Sequence, residues 1–327
     1  MSRMIVRYRI SRDQIVWGRL VTDAPAAPDD KVQVVDLQTG ATTTSDLLAD
    51  LDKGTGIREG EARVLKGSDL LSPVTPNATI VCQGLNYATH AAEAALGKRH
   101  HNLIFSKSSS SICGPYDDIV RPACVELLDY EVEVGLVLRQ SLPAGVDIRE
   151  ADLGRYVAGV VLCNDVSARD VMFGATFMQW YEGKSFRTFC PTGPVLYALQ
   201  PHEVAPTLDK LEISLSFNGT QRQLAGTGQM IFKPAETLTK IAGIMDLGRG
   251  DMLLTGTPGG VLVRATPAVV DALKRTLLDD EARMGELRTH MKANSAFLEP
   301  GDLLTLKMQD LNAGRSLGGQ QSRIVAA

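Results

Sequence analysis

Short apolar runs rich in β-branched residues, broken by Gly, Pro and Asn, recur along the chain and predict a strand-rich protein. In residues 3–22, MIVRYRI and IVWGRLV flank SRDQ and predict a β-hairpin. KVQVVDL at 31–37 predicts a third strand. TSDLLADLDKG at 44–54 predicts a short helix whose N-cap is Thr44 or Ser45.

A polar stretch that reaches about residue 70 separates this region from the rest of the chain. We therefore interpret residues 1–72 as a small β-rich N-terminal domain and residues 73–327 as one larger unit. The larger unit contains further strand-like runs, namely TIVCQGL, LIFSK, DYEVEVGLVL, YVAGVVLCNDV, LEISLSFNG, DMLLTGT and DLLTLKM. Because helices do not alternate regularly with these runs, the pattern favours a β-rich α+β fold over a doubly wound parallel sheet. NGT at 218–220 predicts a hairpin turn.

One long helix is predicted over residues 267–292, with Thr266 as its N-cap and Pro267 at its first position. Its apolar residues fall on one stripe at three- and four-residue spacing, namely Val270, Leu273, Leu277, Met284, Leu287 and Met291. This pattern is typical of a surface helix packed on a sheet, and it also suits a capping element or a subunit contact.

Composition excludes several classes of protein. Hydrophobic residues make up 44% of the chain, charged residues 22%, and the net charge is -4, which does not favour a nucleic-acid partner. The five cysteines form no CxxC pair, which indicates reduced thiols. The N-terminus lacks an apolar signal segment, and no run reaches the roughly 18 apolar residues of a membrane helix. We therefore expect a soluble cytoplasmic protein.

LLDYEVEVGLVL at 127–138 carries two carboxylates in the middle of an apolar run. Glu131 and Glu133 are two residues apart, so a strand places both on one face, roughly 7 Å apart. Taken alone, this pattern is typical of a strand with one face in solvent. The alternative is a site in which a cation holds the two negative charges together.

Polar residues also interrupt three other segments. Asp165 ends the apolar run YVAGVVLC, Lys184 follows a glycine among aromatic residues, and His90 and Glu93 share one helical turn. Each is commonplace alone, but buried carboxylates require compensating charge. A set of three carboxylates suits Mg²⁺ or Mn²⁺ better than Zn²⁺, which prefers His or Cys ligands. Patterns for dinucleotide binding, serine nucleophiles and zinc proteolysis are missing from the sequence.

A set of segments spread over residues 80–310 resembles the fumarylacetoacetate hydrolase (FAH) family, and within it acylpyruvases and fumarylpyruvate hydrolases. The segments, in the order of that family, are GLNYATHAAE, IFSK, DYEVEVGLVL, NDVSARD, GKSFRTFCPTGP, MIFKPAETL, LLTGTPGGV and FLEPGDLLTL. The resemblance implies a catalytic domain of mixed β-sandwich or β-roll type, a small leading domain and a homodimer.

The resemblance also implies roles for individual residues. Glu131, Glu133 and Asp165 are expected to bind Mg²⁺ or Mn²⁺, with Lys184 beside the cation. The remaining expected catalytic residues are a general base and its orienting partner, namely His90 and Glu93. The expected substrate contacts are Tyr87, Lys107, Arg169, Gln179 and Thr257.

The implied function is a Mg²⁺-dependent hydrolase that cleaves a C–C bond in 2,4-dioxo acids, with a role in aromatic catabolism. The cation would act as a Lewis acid on the 2-oxo acid, and Lys184 would stabilise the developing enolate. Alternatives are an oxaloacetate decarboxylase, a 2-oxo-enoate isomerase or hydratase, and a catalytically silent binding protein. A water-activating His–Glu pair favours hydrolysis among these.

Some positions depart from the family pattern. Met172 replaces a common Gln, and Ser108 replaces the usual Pro after the FxK segment. The helix predicted at 267–292 lies where most members have a short loop, and we expect it to border the site or the dimer interface and to shape substrate choice. GKRHHN at 97–102 is either a solvated loop or a contact for a distal substrate carboxylate.

Overall fold

A computed structural model describes residues 3–11, 14–53, 57–94 and 100–327 of the chain. The strands are β1 (Arg3–Ser11), β2 (Gln14–Leu20), β3 (Lys31–Gln38), β4 (Arg58–Lys66), β5 (Leu70–Leu71), β6 (Ile80–Gly84), β7 (Leu103–Lys107), β8 (Ile112–Cys113), β9 (Ile119–Arg121), β10 (Leu128–Asp129), β11 (Val132–Leu138), β12 (Val157–Asn164), β13 (Ser167–Ala168), β14 (Cys190–Pro191), β15 (Leu196–Ala198), β16 (Leu211–Phe217), β17 (Thr220–Gly226), β18 (Met252–Leu254), β19 (Leu303–Asp310) and β20 (Arg315–Ala326). The α-helices are α1 (Thr44–Asp52), α2 (Ala88–Glu93), α3 (Leu153–Tyr156), α4 (Arg169–Gly174), α5 (Trp180–Lys184), α6 (Pro201–Leu208), α7 (Pro234–Ala242), α8 (Pro267–Arg275) and α9 (Asp280–Lys292). The predicted strand-rich α+β class is confirmed.

The largest sheet joins the N-terminal strands to the rest of the chain. Its order is β4-β3-β2-β1-β15-β12-β11-β18-β6-β7, with β5 paired to β1. The predicted hairpin of β1 and β2 and the predicted strand β3 are confirmed. The polar stretch after α1 contains β4, which sequence reasoning missed because its charged residues leave no apolar alternation. The boundary proposed near residue 72 stays a prediction, and β1 pairs directly with β15 across it.

A second sheet, of order β17-β16-β19-β20-β9, packs against the first. The β16–β17 hairpin turns at Asn218 and Gly219, which both adopt positive φ (49° and 78°), as the NGT segment predicts. The main core contains side chains from both sheets, among them Val134 and Leu136 of β11 and Leu215 of β16. β11 is buried along its whole length, so apolar residues occur on both of its faces.

Two helix predictions require correction. The N-cap of α1 is Thr43, whose side chain accepts a hydrogen bond from the Asp46 N–H, rather than Thr44 or Ser45. The single helix predicted at 267–292 is wrong, because α8 and α9 are separate helices joined by a turn. Asp279 caps the second helix by accepting a hydrogen bond from the Ala282 N–H.

The predicted start of the first of these helices is confirmed, since Thr266 is the N-cap of α8 and Pro267 follows it. Leu277, assigned to the apolar stripe, lies in the turn between the helices and is 51% exposed. Leu287 and Met291 of the same stripe are buried. All five cysteines are unpaired, as expected. No helix in the described part of the chain is long and apolar enough to cross a membrane.

Candidate metal centre and active site

Three carboxylates meet where β11 begins and β12 ends. Glu131 directly precedes β11, Glu133 lies within it, and Asp165 directly follows β12. The Asp165 N–H donates to the Glu131 carbonyl at 2.8 Å, which fixes the two segments together. Each residue offers a carboxylate oxygen, and these oxygens lie within 4.8 Å of one another. All three residues are buried, and Val132 between the glutamates joins the main core, as the strand alternation predicts.

Three cations compensate most of this buried charge. Lys184 Nζ lies 2.8 Å from Glu131 Oε2 and 2.6 Å from Asp165 Oδ2. Lys107 donates to the other oxygen of Asp165, and Arg169 Nη2 lies 2.6 Å from Glu131 Oε1. Burial raises the pKa of Glu131, but Lys184 and Arg169 outweigh it and lower that pKa to about 2. Glu131 is therefore held ionised by its neighbours.

Glu133 differs from the other two carboxylates. Its Oε2 accepts a hydrogen bond from the Gly256 N–H at 2.8 Å, and the described residues provide it with no ion-pair partner. Burial, followed by the charges of Asp165 and Glu131, raises its pKa well above the ordinary value. The cluster thus contains an excess of negative charge at a point where three carboxylate oxygens converge. This donor set fits a hard divalent cation such as Mg²⁺, which prefers oxygen ligands.

A fourth buried acid, Asp129, supports the centre and was missed by sequence reasoning. Its carboxylate accepts a hydrogen bond from Arg169 Nε at 2.9 Å, so Arg169 bridges Asp129 and Glu131. The N–H groups of Leu262 and Val263 donate to the same carboxylate at 2.9 and 3.1 Å. Asp129 lies two residues before Glu131 in the same apolar run, and that spacing was a usable signal.

The His90–Glu93 pair lies on α2, beside the carboxylate cluster. His90 Nδ1 is 3.7 Å from Glu93 Oε2, which is an ion-pair distance rather than a hydrogen bond. Glu93 also accepts the Gly260 N–H at 3.0 Å and lies 2.9 Å from Arg264 Nη1. Burial raises the pKa of Glu93, but the imidazole, the Gly260 N–H and Arg264 outweigh it and leave the pKa lowered. Glu93 is therefore an anion that orients the imidazole.

The LLTGTPGGV segment supplies backbone donors to both parts of the site. Gly256 and Gly260 adopt φ of 90° and 108°, which favours glycine, and their N–H groups bind Glu133 and Glu93. Thr257 Oγ1 donates to the Val132 carbonyl at 3.0 Å. Sequence reasoning did not identify these backbone roles, because a hydrogen bond from a main-chain N–H depends on loop geometry rather than on a side chain.

One cavity of about 320 Å³ is lined by Glu131 of the carboxylate cluster and by the His–Glu pair. The predicted site residues that line it are His90, Glu93, Glu131, Arg169, Lys184 and Thr257. Most other lining residues are apolar, namely Leu85, Ala94, Phe105, Met172, Phe173, Met178, Trp180, Val263, Ala265, Val269, Val270, Leu273 and Met291. Met172, one of the departures from the family pattern, thus provides an apolar surface at this position.

Three predicted substrate contacts lie elsewhere. Tyr87 is buried beside Ala225 and Met230, and its hydroxyl has no hydrogen-bond partner among the described residues. Lys107 is enclosed within the carboxylate cluster, where it acts on Asp165 rather than on a substrate. Gln179 is exposed, and its amide donates to the Thr176 carbonyl. Of the GKRHHN segment at 97–102, the candidate contact for a distal carboxylate, residues 97–99 lie outside the described residues.

These features are those of an FAH-family enzyme, and the comparison with known proteins establishes the family. The family model "Fumarylacetoacetate (FAA) hydrolase C-terminal" matches residues 79–324. The chain therefore belongs to the fumarylacetoacetate hydrolase family, a group of hydrolases, isomerases and tautomerases, and the expected resemblance is confirmed.

Several curated relatives share substantial sequence. The mitochondrial oxaloacetate tautomerase FAHD2A of Bos taurus is 40% identical over 203 residues, which cover 61% of this chain and 62% of that relative. The fumarylacetoacetate hydrolase domain-containing protein 2 homolog of Dictyostelium discoideum is 31% identical over 255 residues, 76% of this chain and 73% of that protein. The match to the bovine relative therefore leaves more than a third of its length uncovered.

Solved structures match the whole chain. A probable 2-hydroxyhepta-2,4-diene-1,7-dioate isomerase from Mycobacterium abscessus superposes with a TM-score of 0.71 at 25% identity, covering 100% of this chain and 99% of that one. A putative HpcE protein from Mycobacterium smegmatis gives a TM-score of 0.71 at 27% identity and covers 99% of both chains. These likenesses confirm the FAH fold.

Proposed function

We propose that this protein is a divalent-cation-dependent tautomerase or isomerase that moves a proton between C3 and the 2-oxo oxygen of a 2-oxo acid. The observation that supports it is one largely apolar cavity lined by Glu131 and Lys184 of the carboxylate cluster and by the His90–Glu93 pair. The oxaloacetate tautomerases and isomerases among the similar proteins support the same class of reaction.

Glu131, Glu133 and Asp165 would hold Mg²⁺, or Mn²⁺, and the cation would supply Lewis-acid stabilisation of negative charge on the substrate. Lys184 adds a fixed positive charge in the same buried place, with its ammonium preorganised by Glu131 and Asp165. His90 accepts or returns the proton at C3, while Glu93 stabilises the charged imidazole.

The apolar lining favours proton transfer over hydrolysis. A hydrolase must admit a water molecule next to the base, whereas a tautomerase needs only the substrate and a group that carries one proton. Apart from the residues of the site itself, the described lining is dominated by aliphatic and aromatic side chains. These side chains exclude water, which strengthens the electrostatic effect of Lys184.

Hydrolysis of 2,4-dioxo acids is the second candidate function. The same His90–Glu93 pair can activate a water, and a cavity of about 320 Å³ has room for an acyl group. Decarboxylation needs no such base, and a silent binding protein has no need of an intact charge cluster. A homodimer in the cytoplasm remains our expectation for the assembly and its location.

The test follows the ultraviolet absorbance of an enol as it converts to the keto form, with purified protein and Mg²⁺. We expect a Mg²⁺-dependent acceleration that disappears in His90→Ala and persists in His202→Ala, a matched change at an exposed histidine. A parallel assay measures pyruvate released from acylpyruvates. Pyruvate release without enol conversion would replace the tautomerase proposal with the hydrolase.

A further inference from the structure

One wall of the cavity is built by α8 and α9. Val269, Val270 and Leu273 of α8 and Met291 of α9 line it. Aromatic side chains supply another part of the lining, where the Phe105 and Trp180 rings lie 5.1 Å apart and the Phe173 and Trp180 rings 6.2 Å apart. We call the lining formed by these seven side chains the apolar subsite.

Fixed contacts hold this wall in place. Ala265, just before α8, donates its N–H to the Glu93 carbonyl at 3.3 Å, which links the wall to the helix of the His–Glu pair. Arg283 Nε donates to the Phe173 carbonyl at 2.6 Å, and Arg288 Nη2 lies 2.9 Å from Asp170. Since α9 is thus attached to α4, the apolar subsite is formed before any ligand binds.

The cations that line the cavity are already paired. Lys184 contacts Glu131 and Asp165, and Arg169 contacts Asp129 and Glu131. Arg264 is paired with Glu93. None of the seven side chains of the apolar subsite carries a charge, and each lysine and arginine among the described lining residues already faces a carboxylate. A distal carboxylate in the apolar subsite would lose its hydration without gaining a partner.

We propose that the apolar subsite binds an aryl or branched-alkyl substituent of a 2-oxo acid, and that the protein selects such monoacids over 2-oxo diacids. This inference rests on the proposed function for the position of the 2-oxo acid group at the carboxylate cluster. The wall built by α8 and α9 then determines which substituent on C3 is accepted. Leu273 and Val270 are specificity-determining residues in this assignment.

Two shape-matched probes test the inference by calorimetric titration of the Mg²⁺-loaded protein. The isopropyl group of 4-methyl-2-oxopentanoate has nearly the shape of the distal carboxylate of oxaloacetate, so the pair differs mainly in polarity. We expect the branched monoacid to bind at least about 10-fold more tightly, as for a well-packed apolar pocket. Equal binding, tighter binding of oxaloacetate, or no binding of either probe would overturn the inference.

A matched pair of variants tests whether the binding preference arises in the apolar subsite. Leu273→Arg places a cation in the apolar subsite and should weaken binding of the monoacid by about 10-fold or more while improving that of oxaloacetate. Leu278→Arg makes the same change in the turn after α8, at a side chain that is 78% exposed, and should leave both affinities unchanged. If Leu273→Arg does not fold, the shape-conserving Val270→Thr should still weaken the monoacid several-fold. Unchanged affinities in whichever of Leu273→Arg and Val270→Thr folds would refute the assignment.

Enol conversion is measured on the same samples. If the branched monoacid binds preferentially but the enol forms of phenylpyruvate and oxaloacetate are not accelerated, the proposed function fails and the binding preference stands. If both enols are accelerated but oxaloacetate binds more tightly, the proposed function stands and the apolar subsite does not set specificity.

Discussion

Changing Glu131 or Glu133 to Gln, in protein kept free of divalent cations, should shift the melting temperature in opposite directions. Glu131 is held by Lys184 and Arg169, so Glu131→Gln leaves both cations short of a partner. Glu133 has no ion-pair partner among the described residues and lies against two other carboxylates. Glu133→Gln therefore removes a repelled charge and keeps the oxygen that accepts the Gly256 N–H.

The size of each change in stability follows from these contacts. Breaking a buried ion pair costs about 3–5 kcal/mol, and the lower end applies to Glu131→Gln because Lys184 retains Asp165 and Arg169 retains Asp129. In a chain of 327 residues this corresponds to a Tm decrease of roughly 5 °C. Glu133→Gln should instead raise the Tm by about 1–3 °C, since an unpaired buried charge is lost.

The direction in which the stability difference between Glu133→Gln and the unchanged protein varies with pH is also defined. The pKa of the Glu133 carboxyl is raised in the folded state. Such a group destabilises the folded protein increasingly as the pH rises from the pKa of the unfolded state toward the pKa of the folded state. The advantage of Glu133→Gln over the unchanged protein should therefore be larger at pH 8 than at pH 5 when EDTA is present.

Differential scanning fluorimetry in EDTA, repeated with increasing Mg²⁺, measures both effects. Mg²⁺ at 100 times its Kd should stabilise the unchanged protein by about 2.7 kcal/mol and should stabilise neither variant appreciably. A lower Tm for Glu133→Gln in EDTA, or full Mg²⁺ stabilisation of either variant, would refute the charge assignment of the cluster.

Three further changes probe the surrounding residues. His90→Gln should lower kcat by about 10²–10⁴-fold in the enol assay without changing the Mg²⁺ affinity, and a changed affinity would place His90 at the cation instead. Asp129→Asn should weaken Mg²⁺ binding measured by calorimetry, because Arg169 then loses its charged anchor; an unchanged Kd would contradict this support role. Arg288→Met should lower the free energy of unfolding in urea by about 1–3 kcal/mol, since Asp170 becomes a buried acid without its cation, and no change would show that α9 is not anchored there.

The sequence predicted the buried acidic cluster because its signals are local. The alternation of a strand alone places Glu131 and Glu133 on one face, and Val132 into the core. Asp165 and Lys184 came from equally short motifs, and the structure brings them to within hydrogen-bond reach of Glu131 or of each other.

Longer-range features were less accessible. The apolar stripe of 267–292 suggested one helix, but Asp279 caps a new helix and turns the chain, a choice that the three- and four-residue spacing does not reveal. The charged strand β4 forms because β3 offers it an edge, and not because of its own pattern. The place of Lys107 inside the cluster, rather than on a substrate, depends on packing between distant segments.

The central claim is that the cluster of Glu131, Glu133 and Asp165 holds a divalent cation that is required for proton transfer on a 2-oxo acid. The most direct measurement is the rate of enol-to-keto conversion of phenylpyruvate and oxaloacetate, with Mg²⁺ or with EDTA, for the unchanged protein and Glu133→Gln. We predict acceleration only for the unchanged protein with Mg²⁺. Acceleration that survives EDTA and the substitution, or no acceleration with Mg²⁺ or Mn²⁺, would contradict the claim.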